Sequence, residues 1–245
     1  MTYFPPDQPL SGPKLGALPH SLRVAVDLSL LRPGGENGGV KPFVFEYLKE
    51  VSGRLGEALT LVFLTWSDSH SEVRALARPH DELICVRHTD SNHISTIGNW
   101  RDGELSLPSP PPNLLLLLQI DLLFSPLSSP EFACPGIPTI STVVDILHRD
   151  YPDTLSPDIV SLREQLFQGL IKCTNRFQCI SDHTADRLKA HYGIDRQKTF
   201  GSHIIIHDRM DHEEDRAETP GHPNPYFLYP ANYWKHKNHE TLLVA

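Results

Sequence analysis

Residues 22–55 constrain the fold more than any other stretch, because they spell a strand, a glycine loop and a helix in direct succession. Val24, Val26 and Leu28 alternate within LRVAVDLSLL, the pattern of a buried strand. The loop RPGGENGG follows. Val40, Phe43, Val44, Tyr47, Leu48, Val51 and Leu55 then recur at spacings of three and four, a single apolar stripe of a helix lying on a sheet. Pro42 falls in the first helical turn, where its missing N–H costs little, and Gly56 is a natural stop. Strand, tight turn and helix make the first half of a βαβ unit. In open α/β sheets, ligands bind where a strand's carboxyl end meets a helix's amino end. Here that junction is the run Gly34-Gly35-Glu36-Asn37-Gly38-Gly39.

The spelling of this loop argues against two familiar nucleotide sites. Glu36 stands where the dinucleotide fingerprint G-x-G-x-x-G needs its second glycine, and Val40 and Lys41 follow Gly39 where a P-loop needs Lys-Ser/Thr. Four glycines still permit close backbone approach to a ligand, and the helix behind them offers N–H groups to an anion. The competing reading is a plain βα turn.

Beyond the first helix, strands and helices keep alternating. Residues 59–66 and 82–88 read as strands, with a short helix between them capped by Ser67 or Asp68 and ending near Arg78. Residues 89–112 are polar and end in prolines, a long loop of the kind that often carries function. Residues 114–118 read as a short buried helix, and 121–125 and 139–144 as strands. Ser156, Pro157 and Asp158 open a helix with cap, first-position proline and favourable dipole charge, and Ile159, Leu162, Leu166, Leu170 and Cys173 form its predicted stripe. Strands follow at 176–180 and 199–206, around a helix capped by Ser181 or Asp182 and ended by Gly193. The order predicts an α/β fold, a Rossmann-like doubly wound parallel sheet. Residues 1–20 read as a flexible tail, 21–206 as the domain and 207–224 as a polar linker. Residues 225–245 read as the start of a second unit, with a strand at 226–229 and a helical start at 240, so the chain is expected to be truncated early in that unit.

The net charge of −8 argues against a general nucleic-acid or anionic-membrane surface. Cys85, Cys134, Cys173 and Cys179 show no C-x-x-C pair and read as buried thiols of a reducing compartment, implying a cytoplasmic protein compatible with peripheral membrane association. The leucine run 114–118 is too short to span a bilayer. The cluster His207, Asp208, Asp211, His212, Glu213, Glu214 and Asp215 lacks regular ligand spacing and reads as a solvated linker, so neither a metal nor a cofactor is expected.

Three stretches together resemble the retaining glycosyltransferases of the GT-B type, group 4. They are the opening strand with Gly38-Gly39 at the head of a helix; Val144-Asp145-Ile146-Leu147-His148-Arg149-Asp150-Tyr151-Pro152, with Arg163, Cys179-Ile180-Ser181 and Tyr192-Gly193-Ile194 beyond it; and Tyr226-Phe227-Leu228-Tyr229-Pro230-Ala231-Asn232 with Lys237-Asn238. The resemblance implies two Rossmann-like domains and transfer of a sugar, with retention, from a nucleotide-sugar donor to a glycan, lipid or small-molecule acceptor. It implies His148 as a catalytic candidate near the donor sugar, with a loop-satisfying histidine as the other reading, and Gly38, Gly39, Asn232 and Lys237 as substrate- or donor-binding residues. Asp145 is the second catalytic candidate, and an aspartate at this position more readily orients the turn than acts as a base. This sequence departs from the family's usual pattern at Val144, at Ala231-Asn232 and at 202–206, and the family's paired glutamates fall beyond Ala245. The chain as given is therefore expected not to transfer sugar. A non-catalytic binding module and a nucleotide-dependent oxidoreductase are the alternative readings.

Overall fold

The computed structural model describes residues 21–87, 97–99, 103–105, 113–203 and 226–244. One nine-stranded sheet organises them, in the order β5-β4-β3-β2-β1-β6-β7-β8-β9. Its strands are β1 (Leu22–Asp27), β2 (Leu59–Trp66), β3 (Glu82–Arg87), β4 (Ile97–Asn99), β5 (Gly103–Leu105), β6 (Leu122–Ser125), β7 (Thr139–Val143), β8 (Arg176–Cys179) and β9 (Thr199–Gly201). From β3 to β9 every neighbouring pair is parallel. This is the Rossmann-like doubly wound arrangement. The chain winds outward through β1, β2 and β3, then crosses back to β6 beside β1, so the topological switch point lies between β1 and β6. The antiparallel hairpin β4–β5 extends the β3 edge. Residues 97–99 and 103–105 thus form strands inside a stretch whose sequence predicts only loop; three-residue strands are too short to show a period.

Helix α1 (Val40–Leu55) has the predicted bounds. Phe43, Val44 and Leu48 bury against Val24, Val26, Leu61 and Phe63 on one sheet face. Gly56 closes the helix at a φ of 53°, its N–H donating to the Ser52 carbonyl. Residues alternating with these, Ala25, Val62, Leu64 and Ile84, pack on the other face with Leu114 and Leu115 of α3 (Leu114–Leu117). Both faces are covered, as a parallel sheet requires. Helix α2 (His70–Arg74) starts at Ser69, later than the sequence suggests, and ends before Arg78.

The second half of the sheet has its own core. Val143, Phe177 and Cys179 meet Phe167 and Leu170 of α5 (Pro157–Cys173) and Ala185 and Leu188 of α6 (Asp182–Tyr192). Ser156 caps α5 by accepting from the Ile159 N–H, and Ser181 caps α6 by accepting from the Thr184 N–H. Gly193 ends α6 at a φ of 66°, a conformation that costs other residues. The predicted stripe of α5 is corrected. Ile159, Leu162 and Leu166 are exposed, and Phe167 with Leu170 carries the buried contact. The buried face is the one carrying Phe167 and Leu170, which pack against Val143, Phe177 and Leu188.

Two further expectations are corrected. Residues 226–229 form no strand and join no sheet; the segment 226–244 contains a short 3-10 turn at Lys235–Lys237 and helix α7 (His239–Val244). Cys134 and Cys173 are half-buried, and only Cys85 and Cys179 are buried; all four are free thiols. The predicted linker and residues 204–206 of the predicted last strand lie outside the described residues. No helix among the described residues is long and apolar enough to cross a membrane.

Candidate functional site

The loops at the carboxyl ends of β1, β6 and β7 enclose a cavity of about 200 Å³. Leu30 comes from the loop after β1, Ser128 and Ser129 from the loop after β6, and Asp145 and His148 from the turn after β7. Arg163 and Phe167 of α5 close the remaining side. The cavity sits at the switch point, where this architecture binds ligands. Ser128 holds a φ of 59°, a left-handed conformation a serine seldom adopts, and such strain clusters at functional sites. Its Oγ donates to the Thr142 carbonyl at 2.6 Å, tying the loop after β6 to β7.

His148 is the chemical centre of this cavity. It lies on the single-turn helix α4 (Leu147–Asp150), which Asp145 initiates: Asp145 Oδ1 accepts from the Leu147 N–H at 3.0 Å and from Arg163 Nη2 at 3.1 Å. Asp145 therefore holds the turn that carries His148, through a local side-chain-to-backbone bond. His148 is 2 % exposed and packs its ring 5.4 Å from that of Phe167. Its Nε2 lies 2.8 Å from Tyr192 Oη and 3.4 Å from Glu164 Oε2. Its Nδ1 is buried and without a hydrogen-bond partner. Burial, reinforced by Arg163 and Arg149 and opposed by Glu164 and Asp145, pushes the His148 pKa below its ordinary value. The ring is therefore neutral at neutral pH.

Behind His148 stands a paired charge network. Arg149 grips Glu164 with two 2.8 Å bonds, and Tyr192 Oη donates to Glu164 Oε2 at 2.8 Å. Burial raises the Glu164 pKa, but the donors Arg149, Gln168 and Tyr192 outweigh it and hold the carboxyl at about 2. Burial in turn pushes the Tyr192 phenol up to about 12. At neutral pH the carboxylate is charged and the phenol keeps its proton. Nothing in sequence spacing reveals Glu164 as a partner of His148. Tyr192 enters the sequence reading only as part of a Tyr-Gly-Ile run.

The glycine loop is held in shape by its own side chains and by Glu72. Gly34 and Gly38 take positive φ of 62° and 54°, whereas Gly39 is helical at −68° and caps α1. A Cβ at Gly38 or Gly39 would meet nothing within 4 Å. The loop's organiser is Lys41, which is 7 % exposed. Its Nζ donates to the carbonyls of Arg32 at 2.9 Å and Gly34 at 2.8 Å, and pairs with Glu72. Glu72 also accepts from the Gly34 N–H at 2.8 Å, and the Lys41 and Gly34 bonds pull its pKa down. Asn37 bridges inside the loop, accepting from the Arg32 N–H at 2.6 Å and donating to the Leu30 carbonyl at 3.2 Å. A lysine in the first turn of a helix opposes the macrodipole. That local conflict was the one signal in the sequence that Lys41 has a structural task.

Asp27 and Ser29 brace the same end of the sheet. Asp27 is 1 % exposed and accepts from the Ser29 N–H, the Ser29 hydroxyl and the Glu131 N–H, joining the loops after β1 and β6.

The structure thus brings His148 and Asp145 to one cavity. Gly38, Gly39, Asn232 and Lys237 do not line it. Gly38 and Gly39 are exposed at the head of α1, and Asn232 and Lys237 lie in the 226–244 segment. That segment reaches the domain through Lys235 Nζ, which donates to the Asp153 carbonyl at 3.0 Å. Among the described residues, no three His, Cys, Asp or Glu side chains converge as a metal site needs. Neither a protein-family model nor a curated protein matches the chain.

Proposed function

We propose that this protein is a glycosyltransferase, moving a sugar with retention from a nucleotide-sugar donor to a hydroxyl-bearing acceptor. The observation that carries the reading is His148, a neutral, buried imidazole with an unpartnered nitrogen, on a cavity at the switch point of a parallel sheet. A neutral imidazole accepts a hydrogen bond from a sugar or acceptor hydroxyl and fixes its orientation. Asp145 positions the His148 turn. Arg163 places a cation on the cavity wall, where it stabilises negative charge developing on the leaving group. In this reading Asn232 and Lys237 meet the donor, Lys237 neutralising its diphosphate as a point charge. In the same reading Gly38 and Gly39, which lie outside the His148 cavity, offer the donor their exposed backbone. The acceptor is a glycan, a lipid or a small molecule, and a lipid acceptor would bring the protein to a membrane face.

The test is transfer of radiolabelled sugar from a panel of nucleotide sugars by the protein at its full native length. The wild type is expected to turn over with retained anomeric configuration. His148→Gln is expected to lower kcat by about 100-fold, the scale of a lost proton-handling side chain. Undiminished turnover in His148→Gln, or no transfer from any donor, contradicts the reading.

A further inference from the structure

His148 has two ring nitrogens in unlike settings, and the difference fixes more than its charge. Tyr192 Oη lies within hydrogen-bond reach of both Glu164 Oε2 and His148 Nε2, each at 2.8 Å, but has a single proton to give. Glu164 is ionised and accepts only. A charged carboxylate outcompetes a neutral ring nitrogen for that proton, so the phenol donates to Glu164 and turns its lone pair to His148. Nε2 must then carry a hydrogen. A bare lone pair at Nε2 would face the phenol oxygen and, at 3.4 Å, the carboxylate oxygen, both electron-rich. Arg149 secures the arrangement from behind, since its two bonds keep Glu164 ionised and in place. A neutral imidazole with a hydrogen on Nε2 has none on Nδ1. The two nitrogens point to diverging sides of the ring, so Nδ1 is turned away from Tyr192, on a residue that lines the cavity.

We propose that Tyr192 and Glu164 lock His148 as its Nε2–H tautomer, so that Nδ1 is a fixed acceptor and the ligand group seated against it is a neutral hydroxyl, not an unprotonated phosphate oxygen. Tyr192 and Glu164 are positioning residues in this device; His148 alone meets the ligand. An unprotonated phosphodiester or diphosphate oxygen at Nδ1 would set lone pair against lone pair, whereas a sugar hydroxyl donates into it. Ser129 gives the same cavity a hydroxyl suited to a further sugar oxygen, whereas Ser128 Oγ, whose proton goes to the Thr142 carbonyl, offers only a lone pair. Arg163, which gives one N–H to Asp145, is the cation for anionic parts of a ligand. The ligand half of this inference rests on the transferase reading. The tautomer half does not.

The experiment is long-range ¹H–¹⁵N spectroscopy of the ¹⁵N-histidine-labelled chain at neutral pH, with His148 assigned by the signals lost in His148→Gln. The expected spectrum shows a protonated Nε2 and an unprotonated, pyridine-type Nδ1. Glu164→Ala releases the Tyr192 proton to His148, and the tautomer ratio moves about tenfold toward Nδ1–H, the size of one exchanged hydrogen bond. Tyr192→Phe keeps Nε2–H, because Glu164 remains to accept it. Millimolar D-glucose shifts the Nδ1 resonance of the wild type, and dimethyl phosphate, which carries no P–OH proton at neutral pH, does not at equal concentration. A wild-type ring protonated on Nδ1 overturns the lock, and this holds even if Glu164→Ala does not fold. An unmoved ratio in a folded Glu164→Ala overturns it as well. An Nδ1 response to dimethyl phosphate in place of glucose, or to neither, overturns the ligand half with the lock intact. The transfer assay judges the transferase reading separately, since the tautomer is read without turnover.

Discussion

Replacing Lys41 by Met tests whether the glycine loop is shaped by the protein itself. Met keeps the length and apolar stem of lysine and removes the charged donor. The structure assigns that donor two carbonyls, of Arg32 and Gly34, and the Glu72 carboxylate. A hydrogen bond from a charged donor is worth about 1.5–3 kcal/mol where both groups are buried. The loop around Gly34 is exposed, so water replaces part of what is lost, and Glu72 keeps its bond from the Gly34 N–H. A net loss of about 2 kcal/mol follows for the closed loop. If the loop opens locally, its hydrogen-bonded amides exchange about 30-fold faster, since each 1.4 kcal/mol is tenfold. The amides to follow are Arg32, bonded to Asn37, Gly34, bonded to Glu72, and Gly38, bonded to the Gly35 carbonyl. The melting temperature falls by at most about 4–8 °C. Exchange at all three amides unchanged within about twofold would show that the glycines and Asn37 hold the loop without Lys41, and would refute the assignment.

Three other outcomes follow from named contacts. Asp81 accepts from the Leu61 N–H and from the backbone and guanidinium of Arg78. Asp81→Ala is expected to cost about 3 kcal/mol, near the lower end for breaking a buried pair because Arg78 keeps three carbonyl acceptors, and calorimetry should show it. Burial raises the Asp81 pKa, but these donors outweigh it and depress the folded value. Its stabilising effect is therefore full above the unfolded value of about 3.9 and is lost as pH falls through the folded one, so the wild type and Asp81→Ala should converge in stability on acid titration. Gly193→Ala should destabilise by about 1–2 kcal/mol through its left-handed φ alone, because the added Cβ meets nothing, and denaturant unfolding measures it. Gly39→Val should stay within about 1 kcal/mol of wild type, since its φ is negative and its Cβ position open, so any loss of transfer without loss of stability reports a ligand contact.

The sheet was legible in the sequence because buried parallel strands write themselves as apolar runs. β2 runs over the expected residues, and β1 ends at Asp27 within its predicted run, with Leu28 packed in the same core. Caps and stops were legible too, since Ser156, Ser181 and Gly193 act within one turn of sequence. Short-range signals fail where partners are distant. The β4–β5 hairpin has too few residues for a period. The face that α5 buries depends on Phe177 and Leu188, which are far along the chain. For the site, spelling pointed to His148 and Asp145, which share the cavity, and to the glycine loop, whose organiser is Lys41. The His148–Tyr192–Glu164 contact joins residues 28 and 44 positions apart, and only the fold makes it visible.

We propose that the cavity around His148 is where this protein meets a sugar. Amide chemical-shift mapping of the ¹⁵N-labelled protein against monosaccharides and nucleotide sugars tests it most directly. The account predicts perturbations concentrated at Ser128, Ser129, Asp145, His148 and Arg163, weakened in His148→Gln. The amino end of the sheet carries a larger cavity of about 540 Å³, formed by residues 133–138 with Lys172, Cys173 and Asn175. Perturbations gathered there, with the His148 cavity silent, would contradict the account.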